Sequence, residues 1–226
     1  EALARARLAG YSIAPRRYLA PHVARLLVPK SGEAPVRTTL DGRVQQRVTE
    51  ILRRQVIALK DLRAGDAAAI VVDNATGGVL AYVGGVGELS SARFVDGARG
   101  RRQAGSTLKP LLYGMALEKK LLVASSMIDD RPTEIPVSGG VYRPMNHDET
   151  FHGPVSLRVA LASSLNVPAV KTLDLLGVAP FTRLLWQAGF EELEDPEHYG
   201  PSLALGSADV TLWELVGAFR AIARGG

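Results

Sequence analysis

Apolar residues along this chain recur in two different ways, and the two periods predict different elements. Behind Asp41-Gly42, the residues Val44, Val48, Ile51, Leu52, Val56, Leu59 and Leu62 return every three or four positions. Arg43, Arg47, Arg54 and Lys60 take the opposite face, so the spacing predicts an amphipathic helix with a solvated basic side. Residues 67–73 change to a continuous run, Ala-Ala-Ala-Ile-Val-Val-Asp, and residues 79–84 form a second one. With Asn74-Ala75-Thr76-Gly77-Gly78 between them, they predict a hairpin with a glycine-rich turn. Ala67, Ala68 and Ala69 are small enough for a helix to pack closely on one face of it, and residues 36–40 read as extended.

Further along, Leu111-Leu112-Tyr113-Gly114-Met115-Ala116-Leu117 suits a buried helix. Ser156 is a candidate N-cap for a helix through Leu157, Val159, Ala160 and Leu161. Val167-Pro168-Ala169-Val170 opens another, with Pro168 in its permitted first turn, and residues 181–186 continue the helical pattern. Thr211-Leu212-Trp213-Glu214 has the form of a capping box and starts a last helix through Leu215, Val216, Phe219 and Ile222. Between these pieces, residues 85–105 have no period, and Arg99-Gly100-Arg101-Arg102 reads as a mobile loop or, more sharply, as an anion contact. Residues 125–154 read as loop because Pro132, Pro136, Gly139, Gly140, Pro144, Gly153 and Pro154 interrupt them.

Composition narrows the functional classes. With 226 residues, 46% of them hydrophobic, the chain can build a true core. Lys and Arg number 27 against 23 Asp and Glu, a small excess that does not indicate a nucleic-acid partner. The absence of cysteine excludes disulfides, a thiolate nucleophile and a thiolate metal site. His147, Asp148 and His152 are too interrupted by loop residues to share a helix face, so they read as surface or loop-anchoring groups and no metal or cofactor is expected. No apolar run reaches membrane-spanning length. Glu1-Ala2-Leu3-Ala4-Arg5 does not resemble a signal peptide, so any targeting segment is expected outside these residues.

The candidate chemistry lies in Gly105-Ser106-Thr107-Leu108-Lys109-Pro110. It puts a hydroxyl and an amine on one face where a loop becomes a helix. An alkyl hydroxyl is a poor nucleophile without a base, and Lys109 can be that base only when neutral, which burial or the positive end of a helix would favour. An isolated Ser-x-x-Lys is more often a cap beside an exposed cation. Ser164-Leu165-Asn166 changes the balance: Ser164 could bring a second hydroxyl to the amine, and Asn166 a carboxamide to an extended substrate. Capping ahead of Pro168 remains the alternative for Asn166.

Together these motifs resemble the active-site serine and Ser-x-Asn motifs of penicillin-binding proteins. Thr38-Thr39-Leu40-Asp41, the predicted hairpin, Phe151-His152-Gly153-Pro154-Val155-Ser156 and Leu203-Ala204-Leu205-Gly206 widen the likeness. They are similar to the transpeptidase domain of bifunctional, class A members, most closely of the penicillin-binding protein 1C type. The resemblance implies an α/β (α+β) fold of the β-lactamase/DD-peptidase kind, an antiparallel sheet packed by helices plus an all-helical subdomain. It implies an interdomain connector over residues 1–35, following a glycosyltransferase domain outside this sequence, and a transpeptidase domain over residues 36–226. Ser106 would form an acyl ester with the penultimate D-alanine of a peptidoglycan stem peptide, Lys109 would deprotonate it, Ser164 would relay protons and Asn166 would hold substrate. The backbone N–H of Ser106 would supply half of an oxyanion hole.

The implied partners are stem peptides, β-lactam antibiotics and other cell-wall synthesis proteins, at the outer (periplasmic) face of the bacterial cytoplasmic membrane, reached only through an N-terminal anchor outside the sequence. The family's third motif, Lys-Thr/Ser-Gly, is not found. Lys171-Thr172 is followed by Leu173, and Thr76-Gly77 is preceded by Ala75. These residues are therefore expected to be the N-terminal portion of the domain, ending before the last sheet strands, with little activity by themselves. A penicillin-sensing or scaffold module and a serine β-lactamase are the alternative functions.

Overall fold

The computed structural model describes residues 19–27, 36–137 and 139–226. The connector expected over residues 1–35 lies outside the described residues except at 19–27, where Pro21–Leu27 forms helix α1. The described residues divide into two compact units, one formed by those up to Val71 with Gly78–Asp96, the other by Val72–Gly77 with those from Gly97 to Gly226.

In the first unit the predicted amphipathic helix is α2, Gly42–Ala58. Asp41 starts it, its carboxylate accepting the N–H groups of Arg43 and Val44 at 2.8 and 3.0 Å. Those donors hold the Asp41 carboxyl below its usual pKa. The predicted hairpin strands are β1, Ala69–Val72, and β2, Val79–Val83, which pair with each other. α2 packs on β2 through a polar residue that periodicity did not single out. Gln45 is buried, donates to the carbonyls of Leu19 and Tyr82 at 2.9 and 3.0 Å, and accepts the Tyr82 N–H at 2.7 Å. One side chain thus satisfies both backbone groups of a buried strand residue. The helix is shorter than expected: past Ala58 the chain tightens into a 3₁₀ turn, Lys60–Leu62, leaving Leu59 and Leu62 exposed, and Ile51 is exposed as well. Residues 36–40 form no strand, although Thr39 donates to the Val79 carbonyl at 2.9 Å.

The second unit contains the Ser106 segment. Helix α3, Lys109–Glu118, is surrounded by α4 (Leu157–Ala162), α5 (Asn166–Leu176) and α6 (Val178–Gln187), with a short α7 (Pro196–Tyr199) and a last helix α8 (Leu212–Ala223). Leu108, Leu112, Ala116, Val170, Phe181 and Leu203 are fully buried in one shared core. Caps read from sequence hold: the Ser156 hydroxyl accepts the Val159 N–H, and Thr211 and Glu214 form the reciprocal capping box of α8.

Two expectations are corrected here. Residues 125–154 are not simply loop. β4 (Met127–Asp130) pairs antiparallel with β7 (Gly153–Ser156), and β5 (Ile135–Val137) with β6 (Gly140–Tyr142). Each is a two-stranded ribbon with an open side, so Pro136 and Pro154 can join without leaving a neighbouring strand unpaired. The second correction concerns Arg99-Gly100-Arg101-Arg102, which is pinned in place. Arg101 pairs with Glu192 and Glu214 at 2.7 and 3.0 Å and donates to the Asp209 carbonyl. Arg99 lies over the Trp213 ring, and Arg102 begins β3 (Arg102–Gln103), which pairs antiparallel with β8 (Asp209–Val210). Of the three charges that suggested an anion contact, Arg101 is ion-paired within the fold, while Arg99 and Arg102 remain exposed. Burial raises the Glu214 carboxyl, but the N–H groups of Thr211 and Glu191, the Thr211 hydroxyl and Arg101 outweigh it and leave the pKa low.

Candidate active site

Ser106 is delivered by a backbone ladder. Beyond the β3–β8 pair, Ala104 donates to Ala208 O at 2.9 Å and Gly105 to Gly206 O at 3.0 Å. The chain then turns at Gly105, φ 57, into a 3₁₀ turn, Gly105–Leu108, whose last bond runs from Lys109 N to Ser106 O. Residues three apart eclipse one another in a 3₁₀ turn, so the side chains of Ser106 and Lys109 leave the backbone on the same side. Ser106 is exposed, and no described hydrogen bond engages its hydroxyl. Lys109 is 1% exposed.

The Lys109 amine reaches the second motif across more than fifty residues of sequence. Nζ donates to Ser164 O at 2.6 Å and to Asn166 Oδ1 at 2.8 Å, and lies 3.2 Å from Ser164 Oγ. All three partners are neutral, and among the described residues no carboxylate forms an ion pair with this amine. Burial without a counter-charge favours the neutral amine, and it lowers the Lys109 pKa to about 8. When neutral, the amine has two N–H donors and a lone pair, so Ser164 Oγ–H can donate to it while Ser164 O and Asn166 Oδ1 accept.

The Ser164 backbone makes this possible. It stands in the left-handed region, φ 53, between the end of α4 and the start of α5, and so turns its carbonyl toward the amine. A non-glycine residue held there costs about 1–2 kcal/mol. Ser164→Gly is therefore expected to be more stable than Ser164→Ala by about 1 kcal/mol, read as the difference in urea midpoints, with the hydroxyl lost in both. Asn166 also donates from Nδ2 to Met145 O at 2.8 Å. The capping alternative for its side chain does not hold, since both its polar ends face away from its own helix.

The sequence-predicted residues Lys109, Ser164 and Asn166 thus meet, with Ser106 on the adjoining turn. Three supporting groups were not singled out. Asp130 and Asn146 are buried side chains linked to each other and, through Asn146, to the start of α5. Gly206 abuts Gly105, so close that a Cβ there would overlap the Gly105 backbone. Gly206 lay within the framework stretch Leu203-Ala204-Leu205-Gly206, but Asn146 left no local signal because the partners that tie it to β4 and α5 are 16 to 21 residues away. His152 is loop-anchoring as expected, its Nδ1 lying 2.8 Å from Asp130. His147 is exposed, and no cluster suited to a metal ion exists among the described residues.

A two-motif serine–lysine site on a mixed helix and strand frame defines a class, and the comparisons with known proteins identify it. The family model for the penicillin-binding protein transpeptidase domain matches residues 67–226, and the chain belongs to that family. It is 37% identical over 220 residues to penicillin-binding protein 1C of Escherichia coli, covering 95% of this chain and 28% of that protein. It is 35% identical over 163 residues to penicillin-binding protein 1A of Neisseria cinerea, covering 71% of this chain and 20% of that one. Its fold resembles the crystal structure of penicillin-binding protein 1A from Haemophilus influenzae, with TM-score 0.61 and 30% identity over 69% of this chain and 23% of that one. It also resembles PonA1 from Mycobacterium tuberculosis, solved in complex with penicillin V, with TM-score 0.65 and 22% identity over 85% of this chain and 52% of that one. The fold is thus the β-lactamase/DD-peptidase-like one that the motifs implied. The chain spans under a third of the length of these curated relatives. Among the described residues no helix is long and apolar enough to cross a membrane.

Proposed function

We propose that this chain is the acylating part of a serine D,D-transpeptidase that crosslinks peptidoglycan stem peptides, with residues 36–226 as its transpeptidase portion and residues 1–35 as a connector. One observation carries the reading: a buried lysine without a counter-charge, three residues after an exposed serine, held by the hydroxyl and carbonyl of Ser164 and the amide of Asn166. Lys109, neutral, turns its lone pair from the Ser164 hydroxyl to Ser106 and takes the Ser106 proton as Oγ attacks the carbonyl of the penultimate D-alanine. The tetrahedral intermediate places its oxyanion at the Ser106 N–H. As it collapses, the proton passes from Lys109 through the Ser164 hydroxyl to the departing terminal D-alanine nitrogen, leaving an acyl ester on Ser106. The amine of a second stem peptide then attacks that ester and gives up a proton, which passes through Ser164 and Lys109 to Ser106 Oγ as the ester C–O bond breaks, and the crosslink is made. Asn166 Nδ2 and the adjoining backbone align the extended peptide. A β-lactam enters as a donor mimic and stays as the ester. The site of action is the outer face of the bacterial cytoplasmic membrane, together with other cell-wall synthesis proteins.

The test uses the full-length protein. After incubation with a fluorescent penicillin, peptide mapping is expected to find the adduct on Ser106, and a stem-peptide donor with an amine acceptor is expected to give crosslinked product. An adduct on another residue would sink the assignment of the nucleophile. Acylation with no crosslinked product would indicate a sensor, and rapid hydrolysis of a chromogenic cephalosporin a β-lactamase.

A further inference from the structure

Helix α5, which begins at Asn166, has a defect that its own sequence does not repair. Its N-cap residue is Leu165, which has no side-chain acceptor for the free N–H groups of the first turn. The missing acceptor comes from a distant loop: Asn146 Oδ1 accepts the N–H of Asn166 at 2.8 Å and of Val167 at 3.3 Å. Asn146 is buried, and an amide can present either its oxygen or its nitrogen. Here the choice is forced. Asn146 Nδ2 donates to both oxygens of Asp130 at 2.9 Å and to Thr150 O at 2.8 Å, so only the oxygen can face the helix. Asp130 is fully buried at the end of β4, and its charge is met by these bonds and by the N–H and Nδ1 of His152 at 3.0 and 2.8 Å. β4 pairs with β7 so that Asp130 stands opposite Gly153, which is why His152 arrives beside it.

We propose that Asn146 is the positioning residue of the Lys109 base: it caps α5 in place of Leu165, with its amide oriented by Asp130, and so presents Asn166 Oδ1 and the Ser164 carbonyl to the Lys109 amine. The proposal rests on the reading of Lys109 as the base for Ser106. A buried carboxylate and a buried amide are costly to hold together for capping alone, since a serine or aspartate at position 165 would supply an acceptor locally. Capping from outside does something a local cap cannot. It ties the register of α5, and with it the whole Ser164-Leu165-Asn166 turn, to the β4–β7 ribbon. Lys171, one turn further along α5, donates to Asp129 O at 2.6 Å and adds a second tie at the same end of β4.

The experiment measures acylation by a fluorescent penicillin in the full-length protein, separating the rate at saturation from the concentration giving half that rate. Asn146→Ala is expected to lower the saturating rate by about 10²-fold, the effect of misplacing a reacting group by about 1 Å, with little change in the half-saturating concentration. In an Asn166→Ala background, where the presented amide is already gone, the same substitution is expected to do much less. Asn146→Asp sets two carboxylates against each other and Asp130→Asn sets two donors against each other, so each alone is expected to be slow. The exchanged pair, Asp130→Asn with Asn146→Asp, restores a donor facing an acceptor and keeps an acceptor on the helix, at the loss of the bond to Thr150 O. It is expected to acylate at least about 10-fold faster than the slower single variant. Wild-type acylation by folded Asn146→Ala, or no recovery in the exchanged pair, overturns the proposal. Should Asn146→Ala fail to fold, the exchanged pair decides. If the adduct does not map to Ser106, or Lys109→Met acylates normally, it is the reading of the base that fails, whatever the Asn146 variants do.

Discussion

Lys109→Met in the full-length protein is expected to lower the rate of β-lactam acylation at neutral pH by about 10³-fold, the contribution of a well-placed general base. Methionine matches the length and apolar stem of lysine, so the core around α3 keeps its packing. The pH dependence follows from burial, which lowers the Lys109 pKa from 10.5 to about 8. Only the neutral amine accepts the Ser106 proton, so the wild-type rate is expected to rise with pH and level off above about 8. In Lys109→Met that limb is expected to vanish. Stability moves the same way with pH. The unfolded chain holds this proton more tightly than the folded one, so stability rises with pH across the window between about 8 and 10.5. Below that window the folded protein bears the full cost of a buried cation, on the order of 3 kcal/mol. The methionine variant escapes this cost while losing the three amine contacts, and its melting temperature at neutral pH is expected not to fall. Near-normal acylation by Lys109→Met would remove Lys109 from the mechanism.

That a buried amine stands here at an expense to folding helps to explain which parts of the molecule could be read from sequence. Local rules sufficed where an element satisfies its own ends. The Ser156 cap and the Thr211–Glu214 capping box each lie within four residues, and both are present where the spacing placed them. The periodicity of α2 located the helix but overran its end, because Leu59 and Leu62 continue the apolar spacing past the point where the backbone tightens. What stayed hidden depends on partners remote in the chain. β3 and β8 are two residues each, too short to show any period, yet their pairing aligns the backbone that carries Ser106. Arg101 looked like free charge because Glu192 and Glu214 lie some ninety residues or more away. Asn146 looked like an ordinary loop residue, since nothing near it reveals that α5 lacks a cap of its own. The side chains proposed as catalytic were legible as motifs, and the groups that hold them in place were not.

The same remoteness gives Gly206 the second large effect. Gly206 ends the 3₁₀ segment Gly200–Leu205 with φ 75, a conformation that disfavours any side chain, and its carbonyl accepts the Gly105 N–H at 3.0 Å. A Cβ at position 206 would fall within the contact radii of the Gly105 nitrogen, carbon and oxygen. These are backbone atoms with no rotamer to yield, so either the β3–β8 ladder opens at this rung or the Ser106 turn moves. Gly206→Ala is accordingly expected to cost about 3 kcal/mol of stability, combining overlap, a left-handed alanine and a weakened hydrogen bond. In the fraction that remains folded, acylation is expected to fall by about 10²-fold, because the displacement is passed directly to the residue beside the nucleophile. Gly217, on α8 with open space around it, provides the contrast: Gly217→Ala is expected to gain up to about 1 kcal/mol from helix propensity and to acylate normally. Urea unfolding and penicillin labelling of both variants separate the two glycines. If Gly206→Ala unfolds at the wild-type midpoint and labels at the wild-type rate, the contact between Gly206 and Gly105 does not hold Ser106 in place, and the nucleophile must be positioned by its own helix alone.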